Sequence, residues 1–208
     1  MSKKKWTKKD IPDMSGKVII VTGGNSGVGF ESAKALALKN AEVILACRSI
    51  EKGNTAKNKI LEKYPECKIR VMYLDLGILS SVKDFASDFL QRYDSLDVLM
   101  NNAGVMTDSR FKTKDGFEGI MAINHLGHFA LTGLLLRIIK NTEGSRVVTV
   151  SSNSHKRGEM DFDDLMFENE EDYSTIKAYR RSKLANLLFT YELQRRFENN
   201  KINSISLA

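Results

Sequence analysis

Tyr179 and Lys183 stand four residues apart in a segment of helical period, "YRRSKLAN" at 179 to 186, so their side chains share one face about one turn apart. A tyrosine alone ionises near ~10, too high for ready proton exchange at neutral pH. A neighbouring ammonium stabilises the phenolate and lowers that value, which gives Lys183 a chemical reason to accompany Tyr179. Ser152, at the end of the apolar run "RVVTVSS", offers a hydroxyl that can hydrogen-bond a substrate oxygen as charge develops on it. Each residue also has a plainer use. A Tyr/Lys pair can mark a solvated helix face, and Ser151 and Ser152 can cap or turn the chain.

A second cluster precedes these groups. The stretch "TGGNSGVG", 22 to 29, sets glycines at 23, 24, 27 and 29 between an apolar run and a helical pattern. Helix N-terminal amides and the helix dipole attract phosphate, and glycines let the backbone approach it. Gly23 suits a tight exit from a strand, Gly27 close approach to a pyrophosphate, and Gly29 close helix packing. The spacing is GxxxGxG, not the GxGxxG of the general dinucleotide fingerprint, and an ordinary glycine-rich turn is the alternative. Further on, "LACRS" carries no acid where one would receive a ribose 2′-hydroxyl; it offers Arg48, whose guanidinium can grip a 2′-phosphate. That pattern favours NADP(H) over NAD(H), against the alternative of a surface arginine opening a helix.

The elements needed to position these groups are legible as an alternation. Apolar runs "KVIIV", "EVILA", "IRVMYL", "LDVLM", "RVVTVS" and "NSISLA" are separated by segments of helical period at 28–39, 51–64, 80–93, 117–140 and 173–199. Strands that are apolar throughout and alternate with helices predict a doubly wound parallel sheet of Rossmann type with helices on both faces. In such a sheet the first strand-to-helix turn lies where ligands bind. No repeat or composition break marks a second domain, so residues 17–208 read as one unit behind a basic extension at 1–16.

Composition narrows the function. Of 32 basic residues, five lie in the first nine positions, and the rest of the chain carries 27 against 26 acids. A near-neutral body argues against a nucleic-acid surface. The lysine tail reads as disordered and solubilising, with a weak contact to an anionic membrane surface as its alternative. Cys47 and Cys67 lack metal or disulfide spacing, so no metal site is expected. With neither a secretory signal nor an apolar window of about 18 residues, the expectation is a soluble cytoplasmic protein.

Several motifs follow in one order: "TGGNSGVG", "LDL" at 74 to 76, "NNAG" at 101 to 104, "INHLGHF" at 123 to 129, "VTVSS" at 148 to 152 and "YRRSKLAN". Together they resemble the short-chain dehydrogenase/reductase family, and "ILACRS", "INHLGHF" and "SKLANLLFTYEL" resemble its retinol-dehydrogenase-like branch. The resemblance implies a catalytic set of Asn124, Ser152, Tyr179 and Lys183, with Asn124 holding a proton-relay water. It implies cofactor contacts from Thr22, Gly23, Asn25, Ser26, Gly27, Val28, Gly29, Arg48, Asp75, Leu76, Asn102, Ala103 and Gly104, with Tyr179 and Lys183 beside the nicotinamide ribose. Asp75 would meet the adenine amino group and Asn101 would steady the sheet, although both are also ordinary turn residues. The family assigns no chemistry to His125 or His128, which are read as structural.

The activity implied is NADP(H)-dependent interconversion of an alcohol and a carbonyl on a small apolar alcohol, aldehyde or ketone. Two departures qualify it. The 27 positions from Ser152 to Tyr179 contain the acidic, apolar-studded insertion "EMDFDDLMFENEEDYS", expected near the active-site mouth or as a surface flap. "NSISLA" reads as a sixth strand, where family members continue into a substrate lid. The expectation is thus a sheet truncated after its sixth strand, prone to association into homo-oligomers and poorly active alone. A non-catalytic dinucleotide-binding or interaction protein is the competing reading.

Overall fold

The structure is a computed structural model that describes residues 6–197 and 203–207. Six parallel strands form one sheet in the order β3-β2-β1-β4-β5-β6. They are β1 (Val18–Thr22), β2 (Glu42–Cys47), β3 (Lys68–Tyr73), β4 (Val98–Asn101), β5 (Arg146–Val150) and β6 (Asn203–Leu207). The order reverses direction between β1 and β4, so a crevice opens where the chain leaves their carboxyl ends. This is the doubly wound sheet that the alternating pattern predicts.

Burial explains why the strand sequences are apolar without alternation. Ile19, Ile20 and Val21 of β1, and Val43, Ile44 and Leu45 of β2, are fully buried because both faces of the sheet are covered. On one face lie α1 (Gly27–Ala37) and α2 (Ile50–Leu61), which place the small residues Ala33, Ala37 and Ala56 with Ile60 against the strands. On the other lie α3 (Leu79–Leu90), α5 (Gly127–Asn141) and α6 (Thr175–Phe197). Helix α3 buries Val82, Phe85, Ala86 and Phe89, the i, i+3, i+4, i+7 spacing of an amphipathic face.

The segment expected to be one helix over 117–140 has three parts. A short α4 (Gly119–Met121) runs into a π turn at Ala122–Leu126 and then into α5. By length and apolarity Gly119–Asn141 could cross a membrane, contrary to the expectation that no such stretch exists, but 56% of its most apolar 18-residue window is buried inside the fold. The N-terminal extension also departs from its reading as a loose tail. Within the described residues Thr7 and Asp10 form a capping box, Lys8 pairs with Glu31 at 2.7 Å, and the Met14 amide donates to the Lys39 carbonyl. Lys3, Lys4 and Lys5 lie outside the described residues.

Phe89 has no exposed surface and stacks on Tyr93 with ring centroids 4.7 Å apart. Phe89→Ala should lower the unfolding free energy by about 3–5 kcal/mol, while Leu90→Ala next to it, at a side chain 44% exposed, should cost under ~1 kcal/mol. Urea denaturation of the two variants checks this; equal losses would show that the core does not centre on Phe89.

Candidate functional site

The chain turns from β1 into α1 over residues 23–26, and two glycines make that turn with backbone that other residues rarely adopt: Gly23 at φ +64° and Gly27 at φ +53°. A Cβ on Gly23 would come within 3.1 Å of Ala103, and one on Gly29 within 2.5 Å of the Gly23 carbonyl oxygen and Asn102 Nδ2. Gly23 therefore serves the strand exit, and Gly29 the packing of α1. A Cβ on Gly27 would meet no protein atom within 4 Å, so its positive φ selects glycine there and the space before it stays open. Ser26 at the N-cap makes no side-chain capping bond, which leaves the first-turn amides of α1 for an incoming anion.

A cavity of about 720 Å³ extends from this turn across the carboxyl ends of the strands. Asn25, Ser26, Val28, Gly23 and Gly29 line its first end together with Arg48. Arg48 is exposed and forms no ion pair among the described residues. Asp75 and Leu76 line the wall beyond β3, where Asp75 Oδ1 also accepts from the Gly77 amide at 2.9 Å, so the carboxylate builds its own turn while facing the cavity. Asn102, Ala103 and Gly104 form the floor. These residues fit a dinucleotide: a phosphate-sized opening before helix amides, an unpaired guanidinium beside it and a floor of exposed backbone.

Ser152, Tyr179 and Lys183 line the far end of the same cavity. Lys183 is 4% exposed, and its Nζ lies 5.7 Å from the centroid of the Tyr179 ring. Nζ donates to the Val150 carbonyl at 3.0 Å, and burial pulls its pKa down to about 8. The Ser151 hydroxyl donates to the Lys183 carbonyl at 2.7 Å and ties α6 to the end of β5. Ser152 Oγ accepts from the Ser154 amide at 3.2 Å, which fixes the hydroxyl at the cavity wall.

Three residues expected to touch ligand, Thr22, Gly27 and Asn124, are not among those that line the cavity. Thr22 is fully buried, and its hydroxyl accepts the amides of Asn102 and Ala103 at 2.9 Å each. Asn124 is also fully buried. Its Oδ1 accepts from the Val105 amide at 2.7 Å, and its Nδ2 donates to the Val105 carbonyl at 3.0 Å and to Ser182 Oγ at 3.1 Å. Both side chains are spent on the backbone that makes the floor, because buried amides and carbonyls must find partners. Val105, Met106 and Ile123 line the cavity without having been singled out. They are apolar residues within or beside the motifs, and only topology brings them to the mouth.

The insertion is held to the body by two arginines. Buried Arg181 donates Nε to the Glu159 carbonyl and a terminal nitrogen to the carbonyls of Asp164 and Leu165, and its guanidinium lies 3.7 Å from the centroid of the Phe167 ring. Arg110 also reaches the Phe167 carbonyl at 3.0 Å and Glu170 at 2.6 Å. Among the described residues no three His, Cys, Asp or Glu side chains gather as a metal site.

A six-stranded doubly wound sheet with a glycine turn at its switch point, and one cavity running from that turn to a buried lysine and a tyrosine, defines a dinucleotide-binding α/β protein. The short chain dehydrogenase family profile matches residues 17–163, and the chain belongs to that family. It is 45% identical over 202 residues to the WW domain-containing oxidoreductase of Gallus gallus, with 94% of this chain and 49% of the relative covered. Human retinol dehydrogenase 11 is 45% identical over 194 residues, with 93% and 60% covered, and the chain is of the retinol-dehydrogenase-like branch. It thus spans about half to three fifths of those relatives. A crystal structure from Mycobacterium Paratuberculosis superposes with a TM-score of 0.86 at 42% identity, covering 97% of this chain and 70% of the other. A Shigella flexneri short chain dehydrogenase complexed with NADP shares the fold, with a TM-score of 0.76 at 23% identity and coverage of 94% and 78%.

The depressed pKa of Lys183 has a stability consequence of definite sign. Below about 8 the folded, ligand-free protein holds a desolvated ammonium, whereas the unfolded chain keeps its lysine charged up to the ordinary value of 10.5. Folding therefore carries that penalty below about 8 and loses it as pH rises toward 10.5. Lys183→Met should be at least as stable as the wild type at pH 7 without ligand, with its advantage shrinking between pH 8 and 10. Denaturant titrations across that range test it; a variant less stable at pH 7 would show that the bond to Val150 outweighs desolvation.

Proposed function

We propose that the chain is the cofactor-binding and proton-transfer part of an NADP(H)-dependent oxidoreductase that interconverts an alcohol and a carbonyl on a small apolar substrate. The observation that carries this reading is the continuity of one cavity, with Arg48 and the uncapped α1 amides at one end and Ser152, Tyr179 and Lys183 at the other. The relatives named retinol dehydrogenase support an apolar alcohol or aldehyde, and the neighbour complexed with NADP supports the phosphorylated dinucleotide.

Arg48 and the amides of α1 would hold the phosphates, and Asp75 and Leu76 the adenine side. A bound nicotinamide dinucleotide supplies the hydride donor or acceptor. Tyr179 gives a proton to the carbonyl oxygen in reduction and removes one from the hydroxyl in oxidation, while Ser152 donates a hydrogen bond to that oxygen as it gains charge. Lys183 spends one donor on Val150 and keeps two for the nicotinamide ribose and the phenol. Thr22 and Asn124 act one step away by fixing residues 102–105. The acidic insertion is fastened to α6 through Arg181, and none of its residues lines the cavity.

Two measurements on the full-length protein test this. NADPH should bind more tightly than NADH, and Arg48→Ala should weaken NADPH by about ten- to a hundredfold while leaving NADH nearly unchanged. Tyr179→Phe should cut turnover by at least about a hundredfold with NADPH affinity retained. Retained turnover in that variant would sink the proton-transfer assignment; binding without turnover in the wild type would favour a non-catalytic dinucleotide-binding protein.

A further inference from the structure

The motif "INHLGHF" contains two histidines for which the reaction above has no use, and the structure treats them differently. His125 reaches Asn186 Oδ1 at 3.0 Å and joins an aromatic cluster with Phe129 and Phe189. His128, 1% exposed, has a partner on each ring nitrogen: Nδ1 lies 3.1 Å from the carbonyl oxygen of Asn124, and Nε2 lies 2.8 Å from Thr22 Oγ1.

Counting donors and acceptors fixes which nitrogen carries the proton. A carbonyl oxygen only accepts, so Nδ1 must be the donor toward Asn124. Thr22 Oγ1 already accepts from Asn102 and Ala103, which occupies both lone pairs, so its own proton must point outward. Its nearest acceptor is Nε2 at 2.8 Å, with the Met100 carbonyl farther at 3.3 Å. An imidazolium would aim a second N–H at an oxygen with no lone pair left. Burial acts in the same direction and pushes the His128 pKa down to about 3.

We infer that His128, neutral and protonated on Nδ1, is a positioning residue that joins the two holds on the cavity floor: the Thr22 hydroxyl on residues 102 and 103, and the Asn124 amide on residue 105. At one end His128 orients the hydroxyl so that its lone pairs face the two amides. At the other it holds the carbonyl of the π turn, whose residue Asn124 clamps both backbone groups of Val105. The part of the inference that concerns dinucleotide affinity rests on the proposed function; the part that concerns the floor does not.

Three substitutions separate the two contacts. His128→Phe keeps the ring and removes both bonds; His128→Asn places a donor where Nδ1 was; His128→Gln places an acceptor where Nε2 was. In the wild type, ¹⁵N NMR of the imidazole at pH 7 should show a protonated Nδ1 and a bare Nε2. Amide hydrogen exchange at Asn102, Ala103 and Val105 should quicken at least about tenfold in His128→Phe relative to amides of β2, with the first two restored by Gln and the third by Asn. NADPH affinity should fall about tenfold in His128→Phe and recover partly in each polar variant. A protonated Nε2, exchange at the floor no faster than in β2, or identical behaviour of the Asn and Gln variants would overturn the inference. Should His128→Phe fail to fold, the wild-type tautomer and the Asn and Gln pair decide it. Failure of the wild type to bind NADPH would defeat the functional reading, while the tautomer and exchange would still decide the role of His128.

Discussion

The Thr22 hydroxyl receives two amides from the chain leaving β4, and so sets the separation at which β1 and β4 quit the sheet. A parallel sheet needs such a device, because strand pairing between these two ends at Val21 and Met100 and the backbone beyond has no ladder to join. Two buried amides left without partners would each cost about 1–3 kcal/mol, enough to splay the two exits. With them held, Gly23 can lie so close to Ala103 that a Cβ on it would come within 3.1 Å, and Asn102 Nδ2 can donate to the Thr22 carbonyl under α1. The shape of the crevice follows from a bond count at one oxygen.

The far end of the cavity is built on the opposite principle. Lys183 is placed where water is scarce, with one carbonyl and, among the described residues, no carboxylate for company. A fold selected only for stability would not retain this arrangement. The proposed ribose and phenol contacts would give the lysine ammonium the partners that burial takes away. Ser151 and Asn186, which fasten the same turn of α6 to the end of β5, keep the lysine from escaping to solvent.

The elements whose sequences obey one rule throughout were the legible ones. Strands such as "VIIVT" and "EVILAC" are apolar without alternation because both sheet faces are covered, and α3 shows a clean helical stripe. Residues acting through type and spacing, the glycines, Arg48 and the Tyr179/Lys183 pair, were legible for the same reason. Thr22, Asn124 and His128 were not. Their work depends on which backbone groups lie within 3 Å in the fold, and a threonine that accepts two amides looks in sequence like any strand-end threonine. The π turn was hidden too, since "AINHL" has nothing to distinguish it from ordinary helix.

Arg181 grips the insertion by the carbonyls of Glu159, Asp164 and Leu165, and Arg110 adds the carbonyl of Phe167. Every residue type possesses a carbonyl, so most of the anchorage is indifferent to the side chains between them, Phe167 and its ring stack excepted. The insertion can be rewritten residue by residue while staying fastened in the same place. Such a segment can change its surface without the protein relearning how to fold, and the acids and aromatics now found between 159 and 166 are one draft among many that the same two arginines would hold.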